Sequence, residues 1–128
     1  PQNNFQQKTV LIVEDDKPLL NILKDRLTNE NYTVVTAENG KEGLEKLKET
    51  PPDILLLDLM MPVMDGMSML HHLREIKEFK KLPVIVLTNA GEAENITQTK
   101  NYYNAVEFLI KSNITLDQVV AKVKAMAW

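Results

Sequence analysis

The chain has 128 residues, 44% hydrophobic and 26% charged, which is enough for one hydrophobic core and predicts a single domain. Its 18 acidic and 15 basic residues give a formal charge of −3, which does not favour a surface for nucleic acid or for an anionic membrane. Cysteine is absent, which excludes disulfides and thiolate metal sites, and the sequence has neither a secretory signal nor the roughly 20 apolar residues that cross a bilayer, so we expect a cytoplasmic protein.

Five short aliphatic runs recur along the chain, and none of them alternates apolar with polar residues. Continuous runs of this length are typical of parallel strands that are covered on both faces of a sheet. The segments between the runs carry apolar residues at helical spacing. The predicted strands are 10–13, 33–35, 54–57, 84–87 and 106–110. Strand and helix therefore alternate as (βα)5, and right-handed crossovers put helices on both sides of the sheet.

The predicted helices differ in the strength of their apolar faces. The first has leucines at every third or fourth position and Pro18 in its first turn, and the last begins with the capping-box pair Thr115 and Gln118. The helix over 40–50 offers only two leucines, so we expect it to dock shallowly. The segment 91–104 has a thin apolar face, which predicts a weakly anchored fourth helix.

Polar side chains follow four of the five predicted strands, at the edge of the sheet where open α/β folds bind ligands. These residues are Glu14 and Asp15, Asp58, Thr88 and Lys111. Three carboxylates at one point repel each other, and a hard cation such as Mg2+ with oxygen ligands would remove that cost. A carboxylate such as Asp58 could then attack a phosphorus centre, while Lys111 and Thr88 stabilise the phosphoryl oxygens. The pattern indicates a site that accepts a phosphoryl group.

At this point the sequence resembles a known family, the receiver domains of bacterial two-component response regulators, in particular single-domain regulators of the chemotaxis type. The resemblance covers roughly residues 8–127 and rests on "LIVEDD", "DILLLDLMMPVMDG", "PVIVLT" and "FLIK" in that order. It implies a doubly wound three-layer α/β/α fold with the flavodoxin-like strand order 2-1-3-4-5. It also implies a phosphorylated aspartate, Asp58, and a site for Mg2+, which Mn2+ could replace. The implied ligands are Asp15, Asp58, the backbone carbonyl of Met60 and, partly through water, Glu14.

The resemblance further implies a switch and partners. In such receivers the threonine hydroxyl moves toward the phosphoryl group and an aromatic residue moves inward, which assigns these roles to Thr88 and Phe108. The face formed by the fourth helix, the fifth strand and the fifth helix would then change its affinity for a downstream protein. The phosphoryl donor would be a sensor histidine kinase or a phosphotransfer protein. The implied protein is a monomer or a weak phosphorylation-linked dimer that catalyses its own phosphorylation and dephosphorylation without being a conventional enzyme.

Two positions depart from the family pattern. Lys111 is followed by Ser112, where the family usually has a proline in a cis bond. Because a cis bond before Ser112 would cost ~2.5–4 kcal/mol, we expect a trans bond and a slightly different loop. The residue after the threonine is usually very small, whereas here it is Asn89, which is expected to affect access to the phosphoryl group and its lifetime.

The expected domain limits are a tail over 1–7, disordered or extraneous, and a receiver domain over 8–128. Starting at Pro1 rather than Met suggests processing, an expression boundary or an excised domain. A receiver-like interaction module that works without phosphorylation is the alternative function. An aspartate-based phosphatase would need a second acid where Met60 stands, and a flavin protein would need a hydroxyl-rich or glycine-rich loop after the first strand.

Overall fold

In a computed structural model, which describes residues 7–59, 61, 63–89 and 106–127, the five aliphatic runs form one parallel sheet. The strands are β1 (Thr9–Val13), β2 (Thr33–Ala37), β3 (Ile54–Asp58), β4 (Val84–Thr88) and β5 (Val106–Ile110). Their order, β2-β1-β3-β4-β5, confirms the expected flavodoxin-like topology. Four strands are longer than the aliphatic pattern indicates: β1 begins one residue earlier, and β2 ends two residues later. β3 and β4 each end one residue later, because Asp58 pairs with Leu87 and Thr88 pairs with Ile110. The sheet itself therefore fixes these two polar residues.

The described helices are α1 (Lys17–Asn29), α2 (Gly40–Glu49), α3 (Gly66–Arg74), a short 3-10 turn (Lys77–Phe79) and α4 (Leu116–Met126). The capping box of Thr115 and Gln118 is present at the start of α4, as predicted. None of these helices is both long and apolar enough to span a bilayer. The fourth predicted helix, 91–104, lies outside the described residues, so α4 corresponds to the fifth.

The core consists of two hydrophobic clusters, one on each face of the sheet. Successive strand residues point to opposite faces, so Leu55 and Leu57 join α2 and α3, whereas Ile54 and Leu56 join α1 and α4. All four residues of this β3 run are fully buried. This arrangement confirms the three-layer architecture and explains why the run shows no alternation of apolar and polar residues.

Helix α2 lies closer to the rest of the fold than its two leucines suggest. Leu47 is fully buried, and Gly40 and Gly43 are buried as well. A Cβ atom at Gly43 would lie 2.9 Å from side-chain atoms of Met69 and of Val13. The expectation of shallow docking was therefore wrong, because counting large apolar residues overlooks the close approach that glycine allows.

Candidate functional site at the carboxyl edge of the sheet

The backbone brings the predicted polar residues to one edge of the sheet. Glu14 directly follows β1, Asp58 and Thr88 are the last residues of β3 and β4, and Lys111 directly follows β5. The flanking hydrogen bonds continue the sheet pattern beyond the strands. The Glu14 N–H donates to the Ala37 carbonyl (3.0 Å), and the Lys111 N–H donates to the Thr88 carbonyl (2.7 Å). The backbone leading to each side chain is therefore rigid where the side chain begins.

The Lys111 ammonium contacts two buried carboxylates. Its Nζ lies 2.9 Å from Asp58 Oδ1 and 3.1 Å from Glu14 Oε1. Asp58 is 3% exposed and Glu14 is 0% exposed, while 24% of the Lys111 side chain remains exposed. A buried carboxylate without a partner would be strongly destabilising, so the lysine offsets part of the cost of placing two acids here.

Three carboxylates at this edge could hold a metal ion. Glu14, Asp15 and Asp58 each offer one oxygen, and these oxygens all lie within 4.8 Å of one another. Asp15 is exposed, so the cluster is open to solvent on that side. The donor set consists only of oxygens, which suits a hard divalent cation such as Mg2+. Elsewhere in the described parts of the chain, no other group of three potential ligands meets this criterion.

The three carboxylates differ in the direction of their pKa shifts because they differ in burial and in their partners. Burial raises the pKa of Glu14 to about 7, since the N–H of Asp16 and the Lys111 ammonium oppose burial only in part, and the Asp58 charge adds to it. Burial also raises the pKa of Asp58, although the hydrogen bond from Lys111 acts against it. For the exposed Asp15, hydrogen bonds with Asp58 and Glu14 outweigh burial and lower the pKa.

Lys111 shows the complementary effect. Burial alone would lower the pKa of its ammonium group, but the hydrogen bonds with Asp58 and with Glu14 outweigh burial and raise it. The lysine is therefore charged at neutral pH, and its charge is directed at the two buried acids.

Two further predicted residues lie on the strands β4 and β5. Thr88 is 1% exposed, and its hydroxyl donates to the backbone carbonyl of Asn89 (3.3 Å), whose own side chain is exposed. Phe108 lies half-buried in β5 and packs against the hydrophobic cluster between the sheet and helices α2 and α3. No peptide bond in the described chain is cis, which agrees with the trans bond expected between Lys111 and Ser112. Met60 lies outside the described residues.

The sequence pattern missed a set of close backbone contacts around the loop that follows Asp58. The Leu59 carbonyl accepts a hydrogen bond from the Gly66 N–H (2.8 Å), which closes the loop. The Gly40 N–H donates to the Met64 carbonyl (3.1 Å) in the same loop. Asn39–Gly40 and Asp65–Gly66 are recognisable only as turn signals in the sequence, which does not reveal that the two turns meet.

A doubly wound parallel sheet with three acids and a lysine at its carboxyl edge defines the class of protein as a flavodoxin-like α/β domain, and the three acids could hold a cation. The model of one family, described as the response regulator receiver domain, matches residues 10–124. The chain therefore belongs to the receiver domain family of two-component systems. The finer limits of 1–7 for the tail and 8–128 for the domain stay predictions.

Curated relatives and solved structures agree with this family. The chain is 39% identical over 128 aligned residues to protein-glutamate methylesterase/protein-glutamine glutaminase 2 of Methanosarcina mazei, covering 91% of this chain and 34% of that protein. It is 37% identical over 117 residues to the transcriptional regulatory protein ResD of Bacillus subtilis, covering 91% of this chain and 47% of that protein. A CheY-like receiver domain protein from Methanospirillum hungatei superposes with a TM-score of 0.84 at 25% identity, covering 95% and 94% of the two chains. The chain thus spans less than half the length of both curated relatives.

Proposed function

We propose that this chain accepts a phosphoryl group on Asp58 from the phosphohistidine of a sensor histidine kinase or a phosphotransfer protein. The observation that carries the proposal is the Lys111 ammonium 2.9 Å from the buried Asp58 carboxylate, beside two further acids. A purely structural acid at a strand end would not require this concentration of like charge.

The chemistry follows from the positions of the side chains. An oxygen of Asp58 attacks phosphorus, forming a P–O bond while the P–N bond to the donor histidine breaks and its electron pair stays on the imidazole. Lys111 neutralises charge on the phosphoryl oxygens, and Thr88 supplies a hydroxyl donor from the neighbouring strand. Since the sheet holds Asp58 and Thr88, little conformational entropy is lost when the reacting groups are aligned.

Glu14, Asp15 and Asp58 are the side chains that would hold Mg2+, with the Met60 carbonyl added by family resemblance. When bound, Mg2+ would supply positive charge for the phosphoryl oxygens and for the acids around them. Mn2+ would serve as a substitute because it also takes oxygen ligands. Asp15 is the exposed member of the set, and its lowered pKa keeps it ionised and ready to bind a cation.

Phosphorylation would be transmitted through Thr88 and Phe108 to the surface that includes β5 and α4, where a downstream protein would bind. Phe108 is suited to such a role because it is only half-buried, so an inward movement would bury more of its ring. Asn89, exposed directly after Thr88, would limit access of water and donor to Asp58. Replacing Asn89 with Ala should therefore change the half-life of the phosphorylated protein.

The test is intact-mass spectrometry after incubation with acetyl phosphate or phosphoramidate, with and without Mg2+. We expect a Mg2+-dependent gain of one phosphoryl group that Asp58→Asn abolishes. Asp65→Asn is a matched control, because Asp65 caps α3 in the same loop and Asn preserves the cap. If the wild type gains no phosphoryl group under conditions that label another receiver, the proposal is wrong and the phosphorylation-independent interaction module is favoured.

A further inference from the structure

Gly40 approaches the loop after Asp58 more closely than any other residue type could. Its N–H donates to the Met64 carbonyl (3.1 Å), and a Cβ atom at position 40 would lie 2.5 Å from that same oxygen. The obstacle is backbone, which a rotamer change cannot move. Gly40, the first residue of α2, therefore packs directly on the backbone of this loop, although the two are distant in sequence.

The same loop also packs against Asp58, the proposed phosphoacceptor. Two positions after Met64, Gly66 packs so tightly on the Asp58 carbonyl that a Cβ atom there would overlap it. The Gly66 N–H donates to Leu59, the residue after Asp58, which closes the loop at its base (2.8 Å). Moving Met64 would therefore move the backbone on which the Asp58 side chain is mounted.

The loop also contains a strained residue that needs such support. Val63 has a φ of 70° and is 78% exposed. A β-branched residue in the left-handed region is unfavourable, and Val63 buries little surface to offset that cost. The hydrogen bond from Gly40 to the next carbonyl along the chain helps to hold this conformation in place.

Resting on the function proposed above, we propose that Gly40 is a positioning residue for the metal and phosphoacceptor site. Through the Met64 carbonyl it holds the loop in the geometry that binds Mg2+, without touching the metal or the phosphoryl group. Residues that orient metal ligands from outside the coordination shell commonly change metal affinity by 10–100-fold when they are replaced. The same range is expected here because the loop that Gly40 contacts also packs, through Gly66, on the backbone of Asp58.

The first test is Gly40→Ala, with Gly43→Ala as the matched control in the same helix. An alanine at position 43 meets the flexible end of the Met69 side chain and a Val13 methyl, not the loop. By isothermal titration calorimetry without a phosphodonor, we expect Gly40→Ala to weaken Mg2+ binding about 10-fold or more and Gly43→Ala to leave it nearly unchanged. With acetyl phosphate, Gly40→Ala should raise the Mg2+ concentration for half-maximal labelling more than it lowers the rate at saturating Mg2+.

Thermal unfolding distinguishes the proposal from ordinary helix energetics. Alanine favours a helix more than glycine does, so without the loop contact Gly40→Ala should raise the melting temperature. We expect a lower melting temperature instead. Adding Met64→Ala should not restore Mg2+ binding, because the carbonyl remains. Full recovery in that double variant would mean that only the Met64 side chain matters and would overturn the proposal.

A second measurement uses the unmodified protein and holds even if Gly40→Ala does not fold. Coupling is reciprocal, so a contact that favours Mg2+ binding must itself be favoured by Mg2+. Hydrogen exchange followed by NMR should show that saturating Mg2+ slows exchange of the Gly40 amide about 10-fold. This is the same factor by which Gly40→Ala is expected to weaken Mg2+ binding. The Gly43 amide, which donates to the Asn39 carbonyl (2.8 Å), should change little.

The outcomes separate this inference from the proposed function. If Mg2+ binding depends on Gly40 but Asp58 is never phosphorylated, the positioning role stands and the phosphoacceptor function fails. If Asp58 is phosphorylated while Gly40→Ala binds Mg2+ normally or the Gly40 amide is insensitive to Mg2+, the positioning role fails. A wild type that binds no Mg2+ would overturn both.

Discussion

Replacing Glu14 with Gln should stabilise the metal-free protein at neutral and alkaline pH. Glu14 is 0% exposed, and burial raises its pKa from 4.5 to about 7. The ionised side chain is therefore held in an environment that favours the neutral form. Gln has nearly the same shape and stays neutral, while Lys111 keeps Asp58 as its partner (2.9 Å).

The size and the pH range of the effect follow from linkage. One pKa unit corresponds to about 1.4 kcal/mol, so the shift of Glu14 corresponds to about 3 kcal/mol. The folded pKa is above the unfolded pKa, so the stabilisation from the protonated group is complete below pH 4.5 and is lost as the pH rises to about 7. Glu14→Gln has no ionisable group at position 14, so its free energy of unfolding does not fall for this reason as the pH rises. The stability difference between Glu14→Gln and wild type should thus grow by about 3 kcal/mol between about pH 4 and about pH 8.

Urea unfolding followed by far-ultraviolet circular dichroism, in buffers with a chelator, would measure this difference across the pH range. Glu45→Gln, on the exposed side of α2, is the control for removing one carboxylate from the surface. With saturating Mg2+ the advantage should shrink or reverse, because metal binding stabilises the wild type and favours its ionised carboxylates. If the difference in unfolding free energy stayed constant from acid to alkaline pH, burial would not raise the pKa of Glu14 and the reasoning would be refuted.

Four further changes test the fold around the site. Val63→Asn should stabilise the protein by about 1 kcal/mol in urea unfolding, because asparagine tolerates the left-handed conformation better than valine. Gly66→Ala should destabilise it by about 1–3 kcal/mol in the same assay, since the methyl group meets the Asp58 backbone; no change in stability would show that the loop can move away from Asp58 at little cost. Leu56→Ala should cost about 2–5 kcal/mol of unfolding free energy through an internal cavity. Arg26→Gln loses an ion pair with Asp117 in α4 and another with Glu30 at the end of its own helix. It should lower the melting temperature only slightly and only at low salt, and a large loss at high salt would contradict this.

Much of the fold and of the site could be predicted from local sequence. The five strands were recognisable because both faces of a parallel sheet are covered, which removes polar residues from the runs. Asp58, Thr88 and Lys111 could be placed at one edge because all strands of such a sheet point the same way. Caps such as Thr115 with Gln118 were also visible, since they depend on residues only three positions apart.

The burial of Glu14 was not visible in the sequence. "EDD" presents three adjacent acids with similar chemistry, yet Glu14 is fully buried and Asp15 is exposed. The reason is that adjacent residues leave a strand end in opposite directions, and only the assembled sheet decides which direction leads to Lys111. The pKa values follow from that choice and so could not be assigned to individual residues beforehand.

The sequence by itself determined how strands and helices alternate along the described chain and which polar residues follow the strands, because both depend on residue type and short spacing. The tertiary structure decided which acid is buried and that Gly40 lies against the Met64 carbonyl. These features depend on contacts between segments that are distant in sequence. Such contacts form only when the two clusters on the faces of the sheet pack together, so no local pattern encodes them.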